Sequence, residues 1–173
     1  MKIAIVTISD RASHGDYEDL SGPAIERWLA EVVTSPCSIL RRVIADGFAS
    51  VRDTLIALSD NNGADLILTT GGTGPAPRDQ TPEAMREVLS KELPGFGEQL
   101  RSASLQQTPT AILSRQTAGT RGKTLIINLP GRPSSIRFSL DTIFAAVPYC
   151  LDLIGAGRVE TDPARIKAFR PDV

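Results

Sequence analysis

Asp65-Leu66-Ile67-Leu68-Thr69-Thr70-Gly71-Gly72-Thr73-Gly74, followed at Thr81-Pro82 by a helix start, is the stretch that decides the fold. Its apolar residues run without a polar interruption, the pattern of a strand buried on both faces in a parallel sheet. The glycines end the strand. Proline then stands at the first helical position, where its missing N–H costs no hydrogen bond. Strand, glycine loop and helix in this order form the repeating unit of a doubly wound α/β sheet.

The rest of the chain repeats the alternation. Residues 2–9 carry Ile3, Ile5, Val6 and Ile8, a second strand suited to burial on both faces. Residues 11–21 form a polar loop, after which Gly22-Pro23 opens a helix with Ile25, Trp28, Leu29 and Val32 on its inner face; Trp28 belongs to the core. Residues 38–44 read as a strand, Asp46-Gly47 leads into a helix over about 50–61, and Asn62-Gly63 stops it. The helix from Thr81 is expected to reach about Leu93, with a turn at 94–97, a helix over 98–105 and a short strand at 110–113. Lys123 to Asn128 is the last strong strand; Leu129-Pro130-Gly131-Arg132-Pro133 follows, then a helix from about Ser134, interrupted at Pro148 and ending near Gly155. Right-handed crossovers place helices on both faces of such a sheet, and ligands bind beyond the carboxyl ends of its strands. Four of those ends carry polar or glycine-rich loops: Ser9-Asp10, Asp46-Gly47, residues 71–79 and residues 128–134.

Composition narrows the chemistry. A chain of 173 residues, 41% hydrophobic and 23% charged with net charge -1, is expected to form a single domain over residues 1–173. Near-neutrality and only 5% aromatic content give no reason to expect a nucleic-acid surface. The amino-terminal apolar run is far shorter than the roughly 20 residues of a membrane span and lacks a leader cleavage signal, so a soluble cytoplasmic protein with no membrane partner is expected. Cys37 and Cys150 lie far apart and His14 is the only histidine, which disfavours a thiolate zinc site and the Ser/His/Asp and Cys/His schemes. Chemistry is left to carboxylates, backbone amides, a metal, or arginines; only Lys2, Lys91, Lys123 and Lys167 among nineteen basic residues are lysines, and arginine grips phosphate bidentately.

The loop Thr69, Thr70, Gly71, Gly72, Thr73, Gly74 has the composition of an anion cradle, because backbone N–H groups converge on an oxyanion only where no Cβ blocks the approach. It reads equally as a tight turn needing positive φ. Neither a Walker loop nor the dinucleotide fingerprint is present. Asp79 would hang over this cradle and Asp46 would face it, and two carboxylates beside phosphates suit Mg²⁺. Taken alone, Asp46 reads better as a helix cap or Asx turn, Asp79 as a partner of Arg78, and Asp10 as a partner of Arg11. Asp10 and Asp19 are weaker candidates for the same rim. The Asn128, Pro130, Gly131 segment is either a place for an anion or nucleobase edge or a rigid loop. His14 reads as a solvated loop residue, and the two cysteines as buried apolar fillers.

The segments T-T-G-G-T-G-P-A-P-R-D-Q-T-P-E at 69–83, I-S-D-R-A-S at 8–13, P-G-F-G-E-Q at 94–99, T-A-I-L-S-R-Q at 110–116 and N-L-P-G at 128–131 together resemble the molybdopterin adenylyltransferases of molybdenum cofactor synthesis, the MogA type. The similarity covers almost the whole chain in the same order. The G-G-T-G segment alone is shared with the molybdenum insertase domain and with the competence-damage-type nucleotide hydrolase domain. The resemblance implies a three-layer α/β/α fold, a homotrimer, and a nucleotidyltransferase that binds molybdopterin and ATP with Mg²⁺, releases pyrophosphate and hands its product to a downstream molybdenum insertase. By motif, Asp46 and Asp79 match the family's functional aspartates and metal site. Residues 71–74, with Thr70 and Thr73, match its phosphate cradle, and Ser114-Arg115 and residues 128–131 match segments lining the cleft; Arg78 and Arg115 are separately expected, as arginines able to neutralise phosphate, to assist. A non-catalytic molybdopterin carrier and a nucleotide hydrolase are the alternatives.

Overall fold

In a computed structural model describing residues 1–171, the chain forms β1 (Lys2–Ile8), α1 (Asp10–Ser13), α2 (Ser21–Val32), β2 (Ser38–Ile44), α3 (Phe48–Ile56), β3 (Leu66–Thr70) and α4 (Thr81–Val88). There follow β4 (Lys91–Glu92), α5 (Pro94–Leu105), β5 (Ala118–Arg121), β6 (Thr124–Leu129), α6 (Pro133–Ile143) and α7 (Val147–Leu153). The strands make one sheet in the order β2-β1-β3-β6-β5-β4. β2, β1, β3 and β6 are mutually parallel, whereas β5 and β4 extend the sheet antiparallel to their neighbours. The fold is therefore the expected three-layer α/β/α arrangement around a mostly parallel sheet.

Alternation along the strands builds the two helical layers. Ile3 and Ile5 of β1, Leu66 and Leu68 of β3 and Leu125 and Ile127 of β6 point to one face, where α2, α5, α6 and α7 cover them. Ala4, Val6 and Ile8, Ile67, and Ile126 point to the other, against Val51 and Leu55 of α3 and Met85 and Val88 of α4. Trp28 is 1% exposed, packs edge-on against Phe144 at 4.7 Å, and donates its indole N–H to Asp141 at 2.7 Å. Full burial of one such side chain contributes about 1.5–3 kcal/mol, so both layers are needed to hold the sheet.

Three local expectations are corrected. α4 stops at Val88, and the next residues turn outward into β4, because Lys91 and Glu92 pair with Thr120 and Gly119 rather than extending the helix. Residues 94–97 are the first turn of α5 rather than a separate turn, with Pro94 pre-set for a helix start. Pro109–Leu113 is a 3₁₀ helix, not a strand; Pro109 starts it, and Ile112 and Leu113 are exposed, so its apolar residues join no sheet. The polar loop after β1 also contains a helical turn, α1, whose N-cap Ser9 hydroxyl accepts from Ala12 N–H.

The topology creates a switch point. After β1 the chain crosses to β2 on one side and then to β3 on the other, so the loops leaving β1 and β3 diverge and open a crevice between them. Gly71 makes the close packing there possible: its φ is +106°, and a Cβ would lie 2.2 Å from the Ile8 carbonyl oxygen. Gly72, at φ +62°, would carry a Cβ 2.3 Å from the Thr81 hydroxyl, which itself donates to the Gly71 carbonyl at 3.2 Å.

Candidate functional site

The crevice is a cavity of about 390 Å³ lined by all four rim loops. Thr70, Gly71 and Gly72 form its floor, Asp46 and Asp10 one wall, Arg78 and Asp79 another, and Gly131 and Arg132 a third. Asp19, Arg11 and Tyr17 close it from the segment after β1. It brings together four aspartates and three arginines, yet none of Arg11, Arg78 and Arg132 forms an ion pair among the described residues.

The carboxylates do different things. Asp10 N–H donates to Asp46 Oδ2 at 2.9 Å, and Asp46 N–H donates to Asp10 Oδ1 at 3.0 Å. This reciprocal pair ties the ends of β1 and β2 and takes up one oxygen of each side chain. Asp46 therefore does not cap α3, where Gly47 is the N-cap and the first N–H, of Phe48, is met by Gln80 Oε1 at 2.8 Å; it instead meets the first N–H of α1, that of Asp10. Asp79 accepts from Ala76 N–H through Oδ2 at 3.2 Å and pairs with no arginine side chain. Asp19 is consumed structurally, accepting from Ser21 and Gly22 N–H through Oδ1 and from the Thr7 hydroxyl through Oδ2. Among the described residues no three His, Cys, Asp or Glu side chains converge as a preformed metal cluster. Asp10, Asp46 and Asp79 each retain one oxygen outside the bonds just described, and Mg²⁺ is commonly held by only one or two carboxylates with substrate oxygens and waters completing its shell.

A second cavity, about 360 Å³, adjoins the first. β5 runs antiparallel to β6, so the segment entering β5 reaches the same rim as the carboxyl end of β6. Ser114 and Gln116 from that segment, Pro130 and Gly131 after β6, and Ser134, Ser135 and Phe138 of α6 line it, with Ser104, Gln107, Thr108 and Thr110 opposite. Arg132 is its only ionisable lining residue among the described residues. The Ser114 hydroxyl lies 2.7 Å from Gln116 Oε1, and the Gln116 Nε2 is buried without a partner.

The remaining candidates lie behind these cavities. Asn128 is fully buried and donates from Nδ2 to the Thr69 hydroxyl at 2.9 Å, joining β6 to β3 under the floor. The Thr70 hydroxyl repeats that link above it, donating to the Pro130 carbonyl at 2.7 Å. Thr73 and Gly74 face Arg115, not the cavity: Arg115 N–H donates to the Thr73 carbonyl and Nε to the Gly74 carbonyl, each at 2.9 Å. The same guanidinium also engages the Asp79 carbonyl and Glu83. Burial, the largest single influence, pushes the Glu83 carboxyl up, but the Arg115 hydrogen bond, the backbone N–H and the charges of Arg115 and Arg86 together hold it below the usual carboxylate range. Arg115 thus clamps the glycine loop and Asp79 from behind. Sequence reading missed Arg11, Tyr17 and Arg132 as lining residues; the signal available for Arg11 and Arg132 was their position three residues after a strand end, whereas Tyr17, beyond α1, carried none.

His14 is exposed at the end of α1, and Cys37 and Cys150 are half-buried free thiols, with burial raising the Cys150 thiol. A groove of about 410 Å³ between the start of α5 and the end of α6 has no ionisable lining residue and lies apart from the rim. No helix among the described residues is long and apolar enough to cross a membrane.

Residues 4–149 match the protein family described as "Probable molybdopterin binding domain". The chain is 52% identical over 169 residues to the molybdopterin adenylyltransferase of Helicobacter pylori, covering 98% of this chain and 96% of that protein. It is 48% identical over 183 residues to the molybdopterin adenylyltransferase of Escherichia coli K12, covering 99% and 94%. The crystal structure of the molybdopterin biosynthesis enzyme MoaB from Thermus thermophilus superposes with a TM-score of 0.82 at 41% identity, covering 91% of this chain and 98% of that one.

Proposed function

The chain belongs to the molybdopterin-binding domain family, and we propose that it is the enzyme that transfers AMP from ATP to the terminal phosphate of molybdopterin in molybdenum cofactor synthesis. The observation that carries this reading is the junction of two unlike cavities on one rim: one with glycine backbone, carboxylates and unpaired arginines, the other with hydroxyls, amides and one aromatic ring. Triphosphate and metal suit the first, and a neutral heterocycle that hydrogen-bonds along its edge suits the second.

The reaction needs no histidine. A terminal phosphate oxygen of molybdopterin, anionic at neutral pH, forms a bond to the α-phosphorus of ATP; the bond from that phosphorus to the bridging oxygen breaks, and its electron pair leaves on pyrophosphate. Catalysis is then positioning and charge neutralisation. Thr70, Gly71 and Gly72 cradle phosphate oxygens, with Arg78 and Arg11 beside them. Asp46 and Asp79, with Asp10 adjacent, would hold Mg²⁺, which supplies charge neutralisation on phosphate oxygens when bound. Ser114, Pro130 and Gly131 hold the pterin side. Thr73, Gly74, Asn128 and Arg115 support these groups from behind. A homotrimer in the cytoplasm and delivery of the product to a molybdenum insertase belong to the same reading, supported by the family resemblance.

Pyrophosphate release measured with ATP and Mg²⁺, with and without molybdopterin, tests the proposal. Release that requires all three supports it. Nucleotide consumption without molybdopterin would mark a hydrolase, and molybdopterin binding without release would mark a carrier.

A further inference from the structure

We infer that Arg132 is the cation at the junction of the two substrates, contacting the phosphate of each as the new bond forms; this rests on the function proposed above. Among the described residues the two cavities share two lining residues, Gly131 and Arg132. Glycine offers no side chain, so Arg132 alone presents a functional group to both.

The backbone beneath that side chain is fixed. The Gly131 carbonyl accepts from the Ser21 hydroxyl at 3.0 Å, and a Cβ on Gly131 would lie 3.2 Å from Gly71 Cα, so this loop rests directly on the glycine cradle. Arg132 itself is the extended N-cap of α6, with its carbonyl accepting from Ser135 N–H at 3.0 Å. Other arginines near the rim are committed: Arg101 to the Gln116 carbonyl at 2.7 Å, and Arg115 to the glycine loop and Glu83. Arg11 and Arg78 carry no ion pair either, but they line the acidic cavity alone.

The chemistry calls for a cation at that point. Nucleophile and electrophile are both phosphates, and their mutual repulsion opposes the approach that makes the bond. A guanidinium is a planar fork that donates to one oxygen of each of two anions and never gives up its proton at neutral pH. As the molybdopterin phosphate oxygen joins the α-phosphorus and the electron pair departs on pyrophosphate, Arg132 holds oxygens of both phosphates. It is therefore worth more when both substrates are present than with either alone.

Arg132 is exposed and its side chain forms no ion pair among the described residues, so Arg132→Ala should fold as the native chain does, which a thermal melt verifies. The expected result is a turnover about 100-fold lower, with the dissociation constants of molybdopterin and of AMP, each measured singly, within about threefold of native. Adenylylated molybdopterin, which spans both cavities, should bind the variant about tenfold or more weakly, and Arg132→Lys should restore part of both losses by returning the charge. Native turnover and native product affinity in Arg132→Ala would overturn the inference, as would a loss confined to the binding of one substrate. Failure of the native enzyme to release pyrophosphate would instead sink the proposed function, and the junction role with it.

Discussion

The two cavities that meet at Gly131 and Arg132 are close in volume, about 390 and 360 Å³, and opposite in character. One is built where parallel strands end, from main chain, aspartates and arginines. The other is built where an antiparallel strand begins, from hydroxyls and amides on helices and turns. The difference follows from the sheet: parallel strand ends bring several loops and their N–H groups to one point, which favours phosphate. The antiparallel addition of β5 brings side chains instead, which can match the edge of a neutral ring. Charge chemistry and ring recognition are thus separated by one loop.

The sharpest challenge to that separation is Asp79→Asn. If the acidic cavity performs the charge chemistry alone, turnover should fall by about 100-fold or more while molybdopterin affinity stays native. The check is steady-state pyrophosphate release beside a direct titration of molybdopterin. Native turnover in this variant removes Asp79 from the machinery, and an equal loss of molybdopterin affinity erases the division between the cavities.

Ser114→Ala probes the other side. Its hydroxyl lies beside the Gln116 amide at the wall of the second cavity, and a lost neutral hydrogen bond contributes about 0.5–1.5 kcal/mol, or roughly a two- to twelvefold change in affinity. The KM for molybdopterin should rise by about that factor, with the KM for ATP and the turnover nearly native. A rise in the ATP constant instead would mean that the two substrates sit the other way round.

The acidic cavity was far more legible in the sequence than the neutral one, and the reason is physical. β1, β3 and β6 are buried on both faces, so their apolar runs announce them, and the loops at their ends follow directly. β5 is only four residues, Ala-Gly-Thr-Arg, and its glycine is there because a Cβ at Gly119 would meet the Lys91 carbonyl at 2.3 Å, a contact between partners distant in sequence. β4 has two exposed charged residues and no pattern at all. Without those strands, Ser114 and Gln116 could not be placed. Arg115 shows a second limit. An arginine next to a cleft segment looks like a phosphate ligand, yet its fork is spent on main-chain carbonyls, and nothing in residue type separates a guanidinium that holds a substrate from one that holds the loop.

That clamp supplies the smallest expected effect. Glu83 and Arg115 are 39% and 34% exposed at the side chain, so solvent screening keeps their pairing below about 1 kcal/mol. The folded Glu83 carboxyl titrates below its unfolded value, because the Arg115 hydrogen bond, the backbone N–H and the charges of Arg115 and Arg86 together outweigh burial. Its stabilising contribution is therefore complete above the ordinary glutamate range and is lost as the pH falls through the lower, folded value. Thermal melts of the native chain and Glu83→Gln should differ by about 2–4 °C or less at neutral pH. The gap should close only under acid conditions below the usual glutamate range. Because the main-chain bonds from Arg115 to Thr73, Gly74 and Asp79 persist in this variant, turnover should stay within about twofold of native. A large loss of turnover at neutral pH would show that Glu83 orients the clamp, and so that the phosphate side depends on support from outside its cavity as strongly as on the residues that line it.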